Sequence, residues 1–171
     1  METLFTLDEK NYRDDMPIYE RFAVRAIICR NGKYAMQKSK AGDYKIPGGG
    51  IEPGETHMQA LEREVREETG LLIIPDSIQE IGETLERRID KYNTSQIFVA
   101  HSYFYYCNVE EKSVEPTMTE SEIRLGYQPV WENLETIIRV NELFLKDYWQ
   151  KRDHLFLKWL YGQKKVDNPQ K

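Results

Sequence analysis

Apolar and polar residues alternate from Arg21 to Cys29, which predicts a β-strand with one buried face. The sequence Asn31-Gly32 follows and predicts a type I′ hairpin turn, because both central residues of that turn need positive φ angles. Tyr34–Gln37 then returns as the partner strand. Asp43–Ile46 is extended and leads into Pro47 and three consecutive glycines. A hairpin that feeds a glycine-rich loop is therefore expected.

A helix is predicted directly after this loop. Thr56 is placed as its N-cap, with Gln59 in the capping-box position three residues later. Gly70 stands where a left-handed residue ends a helix. Leu61 and Val65 lie on one side and can anchor the helix to a core.

The rest of the chain reads as strands followed by helices, whereas Met1–Tyr19 gives no clear element. Strands are predicted at Leu71–Ile74, Ile78–Arg88, Gln96–Val109 and Tyr127–Trp131, with a polar loop at Glu110–Thr119. Helices are predicted at Leu134–Val140 and Asn141–Tyr161. The tyrosines of Gln96–Val109 are expected to pack in the core rather than to stack on a nucleobase. This order favours an α/β fold, a mixed sheet with helices on both faces.

Composition agrees with one ordinary globular domain. The chain has 171 residues, 40% hydrophobic and 31% charged, and we expect one domain at 1–161 with a disordered tail at 162–171. Its net charge of −5 speaks against nucleic acid or an anionic membrane as a partner. The first residues do not resemble a signal peptide, and no apolar run approaches the roughly 20 residues that span a bilayer. Cys29 and Cys107 are predicted to be buried thiols in a reducing cytoplasm.

Three glutamates make the predicted helix unusual. Glu64, Glu67 and Glu68 fall at i, i+3 and i+4, so their carboxylates share one face and repel each other. Glu67 and Glu68 also lie in the last turn, where the helix dipole disfavours anions by about 0.3–1 kcal/mol each. A solvated helix face is one interpretation. A hard divalent cation is the other, because Mg²⁺ binds carboxylate oxygens together with water and substrate phosphates.

The glycine loop and the helix together resemble the signature of the Nudix (MutT-like) hydrolases. The matching residues are Gly49, Glu55, Arg63, Glu64, Val65, Glu67, Glu68, Gly70 and Leu71. The resemblance implies an α/β/α sandwich with a mixed β-sheet and a glycine-loop–helix catalytic motif. It also implies Mg²⁺ or Mn²⁺ as the cofactor, and cleavage of the diphosphate linkage in a nucleoside diphosphate derivative.

The resemblance also implies roles for individual residues. Glu64 and Glu68 are the expected metal ligands, with Glu67 in the same shell or at a second ion, and Glu64 is alternatively the general base. Arg63 would orient a glutamate. The carbonyl of Gly48 is the expected backbone ligand. The other motif residues would shape or brace the loop and the helix: Gly49, Gly50, Gly54, Glu55 and Gly70.

One acid from outside the motif is expected to join the site. Glu122 is the first candidate and Glu120 the second, although a solvated loop acid is an equal alternative. His57 either contacts substrate or simply begins the helix. Five basic residues are candidates for phosphate contacts: Arg25, Lys38, Lys45, Arg87 and Arg88.

The function that follows is a metal-dependent hydrolase, with ADP-ribose or a nucleotide sugar as the first substrate and a noncanonical or oxidised nucleoside triphosphate as the second. An RNA 5′-pyrophosphohydrolase is an alternative, against which the acidic composition speaks. A catalytically silent nucleotide sensor of the same fold is another, and such a protein is expected to lack a motif glutamate. The sequence leaves a homodimer open.

Overall fold

A mixed four-stranded sheet forms the centre of the computed structural model, which describes residues 1–167 and the side chains of residues 1–163. The strands are β1 (Thr3–Asp8), β2 (Ile18–Ile27), β3 (Cys29–Arg30), β4 (Lys33–Lys38), β5 (Tyr44–Lys45), β6 (Leu71–Ile73), β7 (Gln79–Ile89), β8 (Ile97–Tyr106), β9 (Val109–Ser113) and β10 (Gln128–Asn133). The helices are α1 (His57–Thr69), α2 (Glu120–Leu125), α3 (Leu134–Asn141) and α4 (Tyr148–Asp167), and a short 3₁₀ turn spans Pro75–Ser77.

The central sheet has the strand order β1-β7-β8-β2. β1 is parallel to β7 and β2 is parallel to β8, whereas β7 and β8 are antiparallel, so the predicted mixed sheet is confirmed. A second, antiparallel sheet has the order β10-β4-β3, with β5 also paired to β4, and a third pairs β6 with β9. Within the second sheet, the Asn31-Gly32 turn that the sequence predicted joins β3 to β4, and both of its central residues have positive φ angles.

Each face of the central sheet is covered by a helix. Ala60, Leu61 and Val65 of α1 pack on one face, where Tyr105 is 1% exposed. On the opposite face Phe156 of α4 stacks on Phe104 with ring centroids 3.7 Å apart. The α/β/α sandwich is thereby confirmed. Tyr105 is buried in the core and Tyr103 packs against it, as predicted, whereas Tyr106 is 37% exposed, so the core-packing interpretation was wrong for Tyr106.

Two strands lie where the sequence predicted none. β1 pairs in parallel with β7, and β9 pairs with β6 at the start of the stretch predicted as a polar loop. Both sequences are short and carry few buried residues. Their extended conformation depends on hydrogen bonds to a partner strand that is distant in sequence, which local patterning does not contain.

The predicted helix from Asn141 to Tyr161 was wrong at its start, because α4 begins at Tyr148. The side chain of Asn141 is buried and bonds both the N–H and the carbonyl of Tyr44 at 2.8 Å, which fixes the chain after α3. At the new helix start, Gln150 Oε1 accepts hydrogen bonds from two backbone N–H groups. α4 continues through Asp167, and residues 168–171 of the predicted tail lie outside the described residues.

One cysteine differs from expectation. Cys107 is buried as predicted, but Cys29 is exposed, so that prediction was wrong. Ile27 and Ile28 pack into core clusters on opposite faces, at 3% and 1% exposure, whereas Cys29 begins β3, which lies at the edge of the second sheet and is not covered there. Within the part of the chain that the structure describes, no helix is long and apolar enough to cross a bilayer.

Candidate active site

The glycine loop lies along the edge of β2 like an additional strand. The N–H of Val24 donates to the carbonyl of Gly49 at 2.9 Å, and the N–H of Ile51 donates to the carbonyl of Phe22 at 3.0 Å. The central sheet therefore holds the loop in place by backbone hydrogen bonds on both sides of the glycines.

Two glycines are required by close contacts. Gly48 has a φ of +132°, and a Cβ there would lie 2.1 Å from the carbonyl oxygen of Val24. A Cβ on Gly49 would lie 2.3 Å from a carboxylate oxygen of Glu64. Gly50 differs, because its nearest neighbour would be 3.6 Å away on Arg21. The backbone at Gly48 and Gly49 thus reaches both β2 and α1 at a distance that a side chain would prevent.

The helix α1 begins and ends as its sequence predicted. Thr56 is the N-cap, and its side chain and that of Gln59 form the reciprocal capping box. Gly70 is left-handed, with a φ of 72°, and its N–H donates to the carbonyl of Arg66. These local signals fix where the glutamates sit along the helix.

Arg63 ties the loop to the helix. Its guanidinium donates two hydrogen bonds to Glu55, at 2.6 and 2.8 Å, and one to the carbonyl of Gly50 at 2.9 Å. A further bond of 2.8 Å reaches Glu64. The hydrogen bonds from Arg63 are the main reason that the pKa of Glu55 is lowered to about 2. Arg63 and Glu55 therefore brace the loop, as the resemblance implied for Glu55.

The lowered pKa of Glu55 gives a testable pH dependence. Because its pKa is about 2 in the folded protein and 4.5 when unperturbed, its ionised form adds stability above pH 4.5 that is lost as the pH falls toward 2. In thermal melts we expect Glu55→Gln to have a lower Tm than wild type at pH 6, with the difference shrinking between pH 4.5 and 2. A Tm difference that stays constant over this range would contradict the assigned brace.

Glu68 is the most buried of the three helix glutamates, at 2% exposure. One oxygen accepts a hydrogen bond from the N–H of Gly48 at 2.7 Å, and the other lies 2.5 Å from the ammonium of Lys45. Burial raises the pKa of Glu68 to about 7, against the opposing effects of Lys45 and Gly48. The residue is thus a partly desolvated carboxylate aimed at the glycine loop.

Glu64 and Glu67 have different surroundings. The carboxylate of Glu64 lies against Gly49 and pairs with Arg63 at 2.8 Å. The side chain of Glu67 is 42% exposed and is 3.5 Å from the same guanidinium. Glu64 and Glu68 therefore line the cavity at the loop, whereas Glu67 does not line it.

Glu122 enters the same cavity from α2, a helix where the sequence predicted a loop. One carboxylate oxygen lies 3.5 Å from Lys45, and the other accepts the N–H of Thr119 at 2.9 Å as part of a second capping box. Burial acts to raise the pKa of Glu122, but the hydrogen bonds from Thr119 and the contact with Glu68 outweigh it and lower that pKa. Glu120 does not line the cavity.

The oxygen donors at this site fit a hard divalent cation in chemistry. Carboxylates of Glu64, Glu68 and Glu122 and the carbonyl of Gly48 line one cavity of about 440 Å³, and such oxygens are what Mg²⁺ and Mn²⁺ prefer. Among the described side chains, however, no three acidic, His or Cys groups are gathered closely enough to hold a metal. The donors are instead bonded to cations of the protein: Lys45, Arg63 and, at the Gly48 carbonyl, Arg25.

A second cavity, of about 460 Å³, adjoins the first. Arg21, Arg25, Trp149 and Arg152 line both. Its walls carry the aromatic rings of Tyr19, Phe98, Tyr148 and Trp149, and the guanidinium of Arg88 lies 4.4 Å from the Phe98 ring centroid and 4.6 Å from that of Tyr148. The same cavity is lined by three carboxylates: Glu86, Asp90 and Asp147. The two cavities form one cleft, with Glu64, Glu68 and the glycine loop at one end and the aromatic rings at the other.

The basic residues that the sequence predicted as phosphate contacts divide into those that line one of these cavities and those that line neither. Arg25 and Lys45 line the first cavity and Arg88 the second, whereas Lys38 and Arg87 stack on Tyr44 and Tyr12 and line neither. His57 bonds the hydroxyl of Tyr105 at 2.7 Å, which agrees with a residue that begins the helix. Among the lining residues that the sequence did not single out, three line both cavities: Arg21, Trp149 and Arg152. Arg21 had a signal, since it shares a strand face with Arg25, but the two α4 residues had none.

Comparisons with known proteins identify the family. The NUDIX domain model matches residues 20–160. Over 94 residues the chain is 33% identical to the nucleoside triphosphatase NudI of an Enterobacter species, an alignment that spans 50% of this chain and 67% of the relative. It is 39% identical over 69 residues to the ADP-ribose pyrophosphatase of Methanocaldococcus jannaschii, spanning 38% of this chain and 40% of the relative.

A solved structure shares the fold. The NUDIX hydrolase from Nitrosomonas europaea superposes with a TM-score of 0.58 at 20% identity, over 78% of this chain and 85% of the other. Family model, relatives and fold agree with the glycine-loop–helix geometry. The chain therefore belongs to the Nudix family of pyrophosphohydrolases.

Proposed function

We propose that the protein is a metal-dependent hydrolase that cleaves the diphosphate linkage of a nucleoside diphosphate derivative, with ADP-ribose or a nucleotide sugar as the favoured substrate. The observation that carries this proposal is the convergence of Glu64, Glu68 and Glu122 with the glycine loop in one cavity that opens into an aromatic cavity. Mg²⁺ or Mn²⁺ held by these carboxylates and by the Gly48 carbonyl would supply charge neutralisation and activation of water.

The residues of the chain have separate roles in this proposal. Arg63 orients Glu64 through the bond between them, so that Glu64 serves either as a ligand or as the base that accepts a proton from the attacking water. Glu68 is fixed by the N–H of Gly48, whereas Glu67 is more exposed and pairs with Arg63 at 3.5 Å. Since phosphoryl transfer depends mainly on positioning and charge stabilisation, this fixed arrangement is where the catalytic advantage is expected.

The lining of the second cavity favours a sugar-containing substrate. Aromatic rings can hold a planar base, and the carboxylates of Asp90, Asp147 and Glu86 can accept hydrogen bonds from sugar hydroxyls. A terminal phosphate placed among these carboxylates would be repelled. A noncanonical or oxidised nucleoside triphosphate is therefore the second candidate, supported by the named activity of the Enterobacter relative.

Two other functions have less support. A silent nucleotide sensor is disfavoured because every motif glutamate is present. An RNA 5′-pyrophosphohydrolase is disfavoured by the net charge of −5. The thiols of Cys29 and Cys107 are free, which fits the cytoplasmic location that we propose.

The proposal is tested by phosphate release over a nucleotide panel. The panel contains ADP-ribose, nucleotide sugars, dinucleoside polyphosphates, canonical and oxidised triphosphates and triphosphorylated RNA, each with Mg²⁺ and with Mn²⁺ and with phosphatase coupling. We expect turnover of ADP-ribose or a nucleotide sugar that is lost with EDTA. If the whole panel is silent while nucleotides still raise Tm, the sensor function replaces the hydrolase.

Binding of the metal is expected to stabilise the folded protein. Because Mg²⁺ or Mn²⁺ binds the native carboxylates but not the unfolded chain, saturation at about 100 times Kd should add about 2.7 kcal/mol to the free energy of unfolding. The measurement is Tm against metal concentration, with Ca²⁺-free buffer and Na⁺ at matched ionic strength as the control. An unchanged Tm at millimolar metal would argue against these donors as a metal site.

The roles of the two α2 glutamates can be separated by a matched pair of variants. Glu122 lines the cavity and Glu120 does not, although both lie in the first turn of the same helix. Glu122→Gln is expected to lower kcat by about tenfold or more, and Glu120→Gln should lower it by less than twofold. The reverse order in steady-state assays would assign the acid outside the motif to Glu120.

A further inference from the structure

Three guanidinium groups meet where the two cavities join. Arg21, Arg25 and Arg152 line both the cavity of the glutamates and the aromatic cavity. Arg21 and Arg25 project from one face of β2, and Arg152 comes from α4, which packs on that face. No sequence signal pointed to this group of three, because α4 and β2 are joined only by the tertiary fold.

Arg25 is an unusual buried cation. It is 4% exposed, and the hydrogen bond that it donates goes to a neutral partner, the carbonyl of Gly48. Its Nε has no hydrogen-bond partner. A buried donor left unpaired costs free energy, and an incoming anion would remove that cost.

Arg152 is held rigidly at the same place. Its guanidinium bonds Asp153 at 2.6 and 2.9 Å and the hydroxyl of Ser102 at 3.3 Å. Asp153 is fully buried, and its other oxygen accepts the N–H of Ile46 at 3.0 Å. Since Asp153 compensates the charge of Arg152, the guanidinium groups of Arg21 and Arg25 leave positive charge at the junction that an anionic phosphate group can pair with.

We propose that Arg21, Arg25 and Arg152 form a phosphate site at the junction of the two cavities. It binds the phosphate of the substrate that is not at the glutamates, and so directs the organic group on that phosphate into the aromatic cavity. This assignment rests on the proposed function, because it takes the bound diphosphate to lie across the junction. It makes the arginines determinants of substrate orientation rather than parts of the metal site.

The test uses metal-free protein in EDTA, with inorganic pyrophosphate as the probe. Pyrophosphate should raise Tm in a saturable way, whereas sodium sulfate at matched ionic strength should raise it less. Arg25→Met is expected to weaken pyrophosphate binding at least about tenfold, the effect of losing one charge-assisted hydrogen bond. Without the anion, Arg25→Met should melt at or above the wild-type Tm, because it removes an incompletely bonded buried charge.

Arg87→Met is the matched control, because it removes the same charge from the opposite face of the central sheet, where Arg87 stacks on Tyr12 at 4.8 Å. It should leave pyrophosphate affinity unchanged. Arg21 is exposed, so Arg21→Gln is expected to fold normally and to weaken pyrophosphate binding, and it decides the question if Arg25→Met does not fold. A lower Tm for Arg25→Met with unchanged pyrophosphate affinity would overturn the proposal and make Arg25 structural.

Enzyme kinetics separate this inference from the proposed function. With an active substrate, Arg25→Met and Arg21→Gln should raise KM at least about tenfold with a smaller change in kcat. Turnover with unchanged KM and pyrophosphate affinity in both variants would overturn the phosphate site and leave the hydrolase intact. Silence over the nucleotide panel, with pyrophosphate binding still lost in both variants, would support the phosphate site and reject the hydrolase.

Discussion

Replacement of Glu68 by Gln is expected to lower kcat by at least about 10³-fold while the protein keeps its fold. Glu68 is fixed by a backbone N–H of the glycine loop, at 2.7 Å from Gly48, and it is 2% exposed. Gln has the same shape and can still accept that hydrogen bond. It lacks the negative charge that would attract a divalent cation and that pairs with the ammonium of Lys45 in this structure.

The measurement combines steady-state kinetics with thermal melts. Tm without metal should stay close to the wild-type value, and the rise of Tm with Mg²⁺ should be lost. Glu62→Gln is the control, because it makes the same charge change on α1 at a residue that does not line the cavity. A Glu68→Gln enzyme with more than a tenth of wild-type kcat would remove Glu68 from the catalytic site.

A single methyl group on Gly49 is expected to have the second largest effect, a loss of about 10² in kcat. The added Cβ of Gly49→Ala would lie 2.3–2.4 Å from three atoms of the Glu64 carboxylate, so that side chain must move. Movement also breaks or stretches its 2.8 Å bond to Arg63. Because the obstacle is the end of a flexible side chain, Tm should fall far less than activity.

Gly50→Ala is the neighbouring control. A Cβ there meets only the end of the Arg21 side chain, at 3.6 Å, and Gly50 has no positive φ. We therefore expect a smaller loss of kcat than in Gly49→Ala, with Tm again close to wild type. Equal losses in the two variants would show that the loop backbone, and not the position of Glu64, limits the rate.

Buried and half-buried cations are a recurring feature of the cleft. Lys45, Arg63 and Arg25 each contact an oxygen that the family resemblance assigns to the metal or its surroundings. A chain with a net charge of −5 thus places its positive charges where anionic phosphates must approach. Substrate attraction and metal binding consequently involve the same group of side chains.

Local sequence determined the motif and its immediate geometry. The Thr56 cap, the Gly70 terminus and the spacing of Glu64 and Glu68 specify a helix with two carboxylates facing a glycine loop, because capping and helical periodicity act over a few residues. The Asn31-Gly32 turn was predictable for the same reason, whereas the mixed sheet was predicted from the order of strands and helices along the chain. The nine matching positions of the motif also sufficed to predict the family.

Tertiary structure decided the rest of the cleft. Strands β1 and β9 exist because of their distant partners β7 and β6, and α4 begins at Tyr148 because Asn141 is held by Tyr44. Arg152 and Trp149 meet the glycine loop only after α4 has packed on the central sheet. Such contacts join residues from 36 to more than 90 positions apart, and their free energy comes from burial and pairing that no local pattern records.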